Sequence, residues 1–207
     1  MLMFFLCAVM FAASSPVADA APSVYGSTGM IMNPSADVLR EGQFSLGYFH
    51  FQDKTSGTLE FNLADRLEVG VARVQHDDRG VDSVFNAKYS LLSETLVAPG
   101  LSVGAETGIH GEQSSLFAVA SKGLPLGLRL HAGVGNGRFD GAFAGLEKTW
   151  NPVGTVTGNN VFPATTLLVE FDGRRMNYGA RLAILPGLKV SAGWQDHHFY
   201  TGIMFTK

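Results

Sequence analysis

From position 43 to the C-terminus, apolar and polar side chains alternate with a period of two. That period marks strands whose two faces meet different surroundings. In 80–92, Val81, Ser83, Phe85, Ala87, Tyr89 and Leu91 oppose Asp82, Asn86, Lys88 and Ser90. In 126–135, Leu126, Leu128, Leu130, Ala132 and Val134 oppose Arg129, His131 and three glycines. The same division runs through 101–110, 175–184 and 188–195. Turn-forming residues punctuate it: 53–57 (DKTSG), 77–80 (DDRG), 135–137 (GNG), 172–173 (DG) and 186–187 (PG). Counting between them predicts about twelve strands, near 43–51, 58–64, 66–75, 80–92, 100–110, 114–122, 126–135, 139–149, 164–171, 174–185, 187–195 and 198–206. Their typical length of about ten residues is what a tilted strand needs to cross a bilayer. No amphipathic helix of useful length interrupts them, so folds built on crossover helices are excluded.

Composition decides between a soluble and a membrane-embedded sheet. Only 16% of the 207 residues are charged, against 46% hydrophobic, and 25 are glycine. A soluble sheet of this size would carry many Lys and Glu on its outer face. A membrane barrel inverts that requirement, with an apolar face towards lipid and polar side chains in the lumen. Backbone groups in lipid must all be paired, so the sheet has to close. The expected fold is therefore all-β, a single antiparallel up-and-down transmembrane β-barrel of about twelve strands. A soluble periplasmic β-domain binding a ligand in its cavity is the alternative. The formal net charge of −3 excludes a basic nucleic-acid binder, and the lone Cys7 excludes a disulfide scaffold or thiolate metal site.

The minority face holds Glu60, Asn62, Glu68, Asp82, Lys88, Glu106, His110, Arg129, His131, Glu170, Arg175, Asn177, Arg181 and Lys189, interleaved with glycines. Mixed signs beside glycine predict a narrow lumen whose side chains pair across the middle. Glu106, Arg129, Glu170, Arg181 and Lys189 are the candidate lumen-lining charges, which would set selectivity by opposing fields if solute passes. Aromatics are expected near strand ends, as girdles at the two interfaces. Phe44, Phe49, Phe51, Phe139, Trp194, Phe199, Tyr200 and Phe205 are among those so placed. With an even strand count, both chain ends lie on one side. The longest connection, 151–163, then falls on that side too.

Residues 1–20 read as a signal peptide: an apolar run followed by Ala18-Asp19-Ala20, with cleavage expected after Ala20, although no Lys or Arg precedes the run. Residues 21–42 are a periplasmic lead-in or a plug, and 43–207 the barrel. Met30, Ile31 and Met32 are apolar enough to need cover, which favours packing at or inside the barrel mouth.

No G-x-S-x-G elbow occurs. His197 and His198 are neighbours and would point to opposite faces of a strand, which argues against a shared metal. His76, His110 and His197 occupy rim positions that an outer-membrane lipid hydrolase would use, and they carry no other mark of one. No enzyme activity, cofactor or metal is expected.

The stretch 25–48, YGSTGMIMNPSADVLREGQFSLGY, resembles the opening of the YjbH-type outer-membrane proteins. So does 169–179 with the later Leu185-Pro186-Gly187-Leu188. The resemblance implies an outer-membrane β-barrel, and for some members a link to exopolysaccharide production or export. This chain is shorter than the large polysaccharide-linked members. The combined expectation is a non-enzymatic barrel in the outer membrane of a Gram-negative-type envelope. It would act as a small channel or as an envelope component accompanying exopolysaccharide export. Its partners would be outer-membrane lipid and polysaccharide or polysaccharide-export proteins, with no nucleic acid.

Overall fold

A computed structural model of the chain describes residues 20–78, 80–108, 114–150 and 164–207. Two short strands come first, β1 (Pro22–Ser23) and β2 (Gly26–Thr28), paired only with each other. Twelve longer strands follow: β3 (Phe44–Phe51), β4 (Lys54–Ala64), β5 (Leu67–His76), β6 (Gly80–Leu92), β7 (Gly100–Gly108), β8 (Ser115–Leu124), β9 (Leu128–Gly135), β10 (Gly141–Trp150), β11 (Thr165–Phe171), β12 (Met176–Leu185), β13 (Leu188–Gln195) and β14 (His198–Thr206). Each pairs antiparallel with its sequence neighbours, and β14 returns to β3, so the sheet closes as an up-and-down barrel. The seam runs from Tyr200 opposite Phe51 to Thr206 opposite Ser45. It ends in a reciprocal pair of backbone hydrogen bonds between Phe44 and Lys207, at 2.9 and 3.0 Å. Closure leaves no edge strand, which a sheet meeting hydrocarbon requires.

Burial follows the sequence alternation with the polar set inside. Ser56, Glu60, Glu68, Asn86, Lys88 and Asn177 are fully or almost fully buried, while Tyr48, Leu116, Leu130, Val134, Leu167 and Ile203 are exposed. Such an inside-out arrangement suits a hydrocarbon surround and would be unstable in water.

Three expectations need correction. The turn anticipated at 53–57 is mostly strand, because β4 begins at Lys54. Thr55 and Ser56 keep the period of two, so the β-ladder absorbs residues whose composition suggested a loop. Aromatics near strand ends also divide between two places. Phe44 packs with Phe61 and Phe205 at one rim, and Trp194 meets Phe199 at the other. Phe49, Phe51, Phe139 and Tyr200 instead point into the barrel, where they are almost wholly buried. Glycines opposite them make the room: a Cβ at Gly179 would fall 2.4 Å from the Tyr200 hydroxyl, and one at Gly135 would fall 2.8 Å from the Phe139 ring. Finally, the interior charges do not pair across an open lumen, because chain from upstream of β3 occupies it. The connection 151–163 and residues 1–19 lie outside the described residues.

Ala132 tests the lipid-facing wall. It sits midway along β9, exposed, in register with Ala120 and Ala144. Ala132→Arg should cost about 2–4 kcal/mol of folding stability in lipid vesicles, measured by urea unfolding. A negligible loss would mean that hydrocarbon does not touch this face.

Candidate functional site: the occupied lumen

Residues 20–42 enter and leave at the rim that carries Phe44 and Lys207, and between those points they run inside the barrel. Met30, Ile31, Met32, Val24 and Leu39 are all buried, as are Ser23, Ser27 and Asn33. Within the segment, Gly29 donates to Ala21 O and Val24 to Ile31 O (both 2.9 Å), and Ser35 donates to Thr28 O at 3.0 Å. These bonds satisfy only part of its backbone. A buried amide or carbonyl without a partner costs roughly 1–3 kcal/mol, so the remaining groups need partners from the wall.

The polar lumen residues provide them. Three consecutive amides, of Ile31, Met32 and Asn33, converge on the Glu170 carboxylate at 3.2, 2.7 and 3.2 Å, and Asn177 Nδ2 donates to the same group at 2.9 Å. Arg181 donates to the carbonyls of Gly29 and Met30 at 3.3 and 3.0 Å. Nearer the entry rim, Glu68 accepts from Thr28 N, Thr28 Oγ1 and Leu39 N (2.7, 2.5 and 2.9 Å). Lys88 lies across the β5–β6 ladder from Glu68. Its Nζ donates to Thr28 O at 2.6 Å and sits 3.2 Å from Glu68. Smaller groups complete the cradle: Ala36 N donates to Ser121 Oγ, Ser102 donates to Ala36 O, and Ser56 donates to Val24 O. Gly145 admits the thioether of Met30, since a Cβ there would fall 2.1 Å from its sulfur. The wall therefore recognises main-chain groups, and charge-assisted bonds carry most of that recognition.

The five candidate lumen charges all engage groups that keep this segment in place. Glu170 and Arg181 hold its turn. Arg129 bridges Asp37 of the segment and Glu94 of the rim loop at 2.7 and 2.8 Å. Lys189 reaches Ala20 O at 3.5 Å. Glu106 acts through Arg138 in the 3-10 turn Gly137–Phe139: it binds that guanidinium through both oxygens, and Arg138 donates to Met32 O at 3.0 Å and lies 4.7 Å from the Tyr25 ring. Burial alone would lower the Arg138 pKa, but the Glu106 carboxylate outweighs it and holds the pKa above its ordinary value. Sequence reasoning did not single out Glu68 and Lys88, nor Arg138. The first pair had a legible signal, because both carry charge on the inner face and each lies eight residues from its end of the hairpin, His76 and Gly80, so that they face each other. Arg138 gave none, since a turn position does not reveal that its side chain reaches back inside.

The rim histidines are accounted for differently. His76 Nε2 lies 2.9 Å from Asp82 and His198 Nδ1 lies 3.2 Å from Asp53. His197 sits in the β13–β14 turn with a φ of 67°, and His110 lies outside the described residues. Further ion pairs, Arg175–Asp196 and Arg174–Asp140, tie neighbouring loops of this rim together.

A family model described as exopolysaccharide biosynthesis protein YbjH matches residues 21–162, which begins with the inserted segment and runs through β10. Among curated proteins, none matches the sequence. The structure is similar to the KdgM porin, with a TM-score of 0.54 at 8% identity, covering 79% of this chain and 97% of that one. It also aligns with the N-terminal β-barrel domain of Pseudomonas aeruginosa OprF at 12% identity, covering 81% and 98%; the TM-score of 0.24 is too low to inform the fold. At such identities the porin likeness concerns the fold alone.

Glu170→Ala would leave three amides without their acceptor. At about 1.5 kcal/mol for each charge-assisted bond, losing all three amounts to about 4.5 kcal/mol, so hydrogen exchange at Ile31–Asn33 should quicken about a thousandfold while the barrel stays folded. Unchanged exchange would show that another contact holds the turn.

Proposed function

This chain belongs to the YjbH family, whose description is exopolysaccharide biosynthesis protein, and on that premise we propose that it is a non-enzymatic outer-membrane barrel accompanying exopolysaccharide production, closed at rest by its own residues 21–39. Residues 1–20 would direct its export, and the apolar exterior would take up lipid. The observation that carries the closed state is the use of Glu68, Lys88, Glu170 and Arg181 as backbone partners of the inserted segment. Side chains that could present a charged constriction to a solute are already bonded to the protein itself.

A channel reading remains attached to the same residues. If the segment withdraws, Glu106, Arg129, Glu170, Arg181 and Lys189 would line a path of mixed charge, whose opposing fields would set its selectivity. Withdrawal is costly, because Glu170 and Arg181 would exchange buried backbone partners for water and Arg129 would lose Asp37. That asymmetry favours a barrel closed by default over a free-running pore.

Planar-bilayer conductance tests the closed state. Wild-type protein should be silent, and a variant lacking residues 22–39 should conduct. Glu68→Gln combined with Glu170→Gln keeps the whole chain and should give intermittent openings if the deletion does not fold. Steady wild-type conductance matching the deletion variant would overturn the closed reading. A strain lacking the protein should show reduced surface exopolysaccharide that returns on complementation. Unaltered polysaccharide would overturn the envelope role.

A further inference from the structure

Near the rim away from the segment's entry, the apolar pattern of the outer wall breaks across β3, β4 and β5. Along β5 the outward positions read Leu67, Val69, Val71, Arg73 and Gln75, so a cation faces away from the lumen three residues before the strand ends at His76. With a rise of about 3.3 Å per residue and a tilt near 40°, Arg73 lies roughly 8 Å below that rim. No ion pair to Arg73 occurs among the described residues. Its cross-strand neighbours are Gly57 on β4 and Ser83 on β6, both small. One row nearer the rim, His50, Thr55 and Gln75 stand in register across β3, β4 and β5, and all three face outward. Elsewhere on this rim, outward positions include the aromatic pair Trp194 and Phe199, as in an interfacial girdle.

Beneath the polar cluster the wall is indented. A groove of about 630 Å³ crosses β14, β3, β4 and β5, with Leu46, Tyr48, Leu59, Val71 and Ile203 among its apolar walls and Arg73 at its upper end. The missing side chain at Gly57 contributes to it: a Cβ there would meet nothing within 4 Å.

We propose that this sector is a binding site for a phosphorylated glycolipid of the outer leaflet, with a phosphate on Arg73 and an acyl chain in the groove. It rests on the outer-membrane reading above, which puts the rim away from the chain's N-terminal entry on the cell exterior. A guanidinium suits a phosphate because its planar fork donates two parallel hydrogen bonds. Facing hydrocarbon with no counter-charge among the described residues, Arg73 is stabilised when a lipid phosphate neutralises it. His50, Thr55 and Gln75 supply further polar groups at headgroup level. The groove then satisfies the other half of the same molecule, since a chain lying in it covers the indentation left at Gly57. Free phosphate would gain only the cation, and an uncharged lipid only the groove.

The test is native mass spectrometry of the full-length protein in detergent micelles, titrated with diphosphoryl hexa-acyl lipid A, with its dephosphorylated form and with phosphatidylethanolamine. Wild-type protein should retain the diphosphoryl lipid at least tenfold better than either of the others. Arg73→Leu should abolish that preference. Gly57→Leu, which fills the groove and leaves the cation, should weaken retention several-fold. Lys148→Leu removes a cation near the opposite rim, whose amine is already bonded to Leu126 O, and should have no effect. Equal retention of phosphorylated and dephosphorylated lipid, or retention by Arg73→Leu equal to wild type, would overturn the site. Cell fractionation reads the outer-membrane placement separately, so a failure there is distinguishable from a failure to bind lipid A.

Discussion

A backbone amide or carbonyl removed from water must find another partner, and this molecule meets that demand twice. The first time is in the wall, where twelve antiparallel strands exhaust one another's hydrogen bonds and β14 closes on β3. The second is in the lumen, where residues 21–39 bring main-chain groups that their own few internal bonds cannot satisfy. The inward charges meet that second demand. Glu170 accepts three consecutive amides, Glu68 accepts two, and Arg181 and Lys88 cover carbonyls that would otherwise be unpaired.

This changes what a polar lumen means. Mixed charges facing the axis of a barrel suggest an aqueous path, and in wide porins such residues tune selectivity. Here the same residue types are structural ligands of an inserted strand-like segment, and the apolar side chains of that segment pack against inward aromatics. Met30, Ile31 and Met32 share a buried cluster with Phe49, Phe51 and Tyr200. Inward rings come from β3, β8, β10 and β14, and inward charges from the strands between them, so both its side chains and its backbone are matched. The outer wall obeys the reverse rule, and the sector around Arg73 matters because it departs from that rule.

The rim opposite the segment's entry is held by a different kind of contact. Short loops there are joined by ion pairs between neighbouring hairpins, including His198 with Asp53 and Arg174 with Asp140. Exposed pairs of this kind contribute little each, and salt screens them. Arg138 is the exception: with Glu106 and the Met32 carbonyl it links the rim to the buried turn.

The sequence by itself determined the strands, their number and their two faces, because a period of two and the turn residues between runs are local properties. Glu68, Lys88, Glu106, Glu170 and Arg181 could be assigned to the inner face for the same reason. Family resemblance in 25–48 was legible too, since it rests on a contiguous string. Only the tertiary structure decided what those inner residues bind. The contacts join Glu170 to Ile31 and Lys88 to Thr28, across more than fifty positions, and no periodicity encodes a partner at that distance. Whether Phe49 or Tyr200 joins a girdle or fills the interior was likewise settled by closure of the barrel, because glycines on neighbouring strands become space for a ring only when the strands are brought side by side.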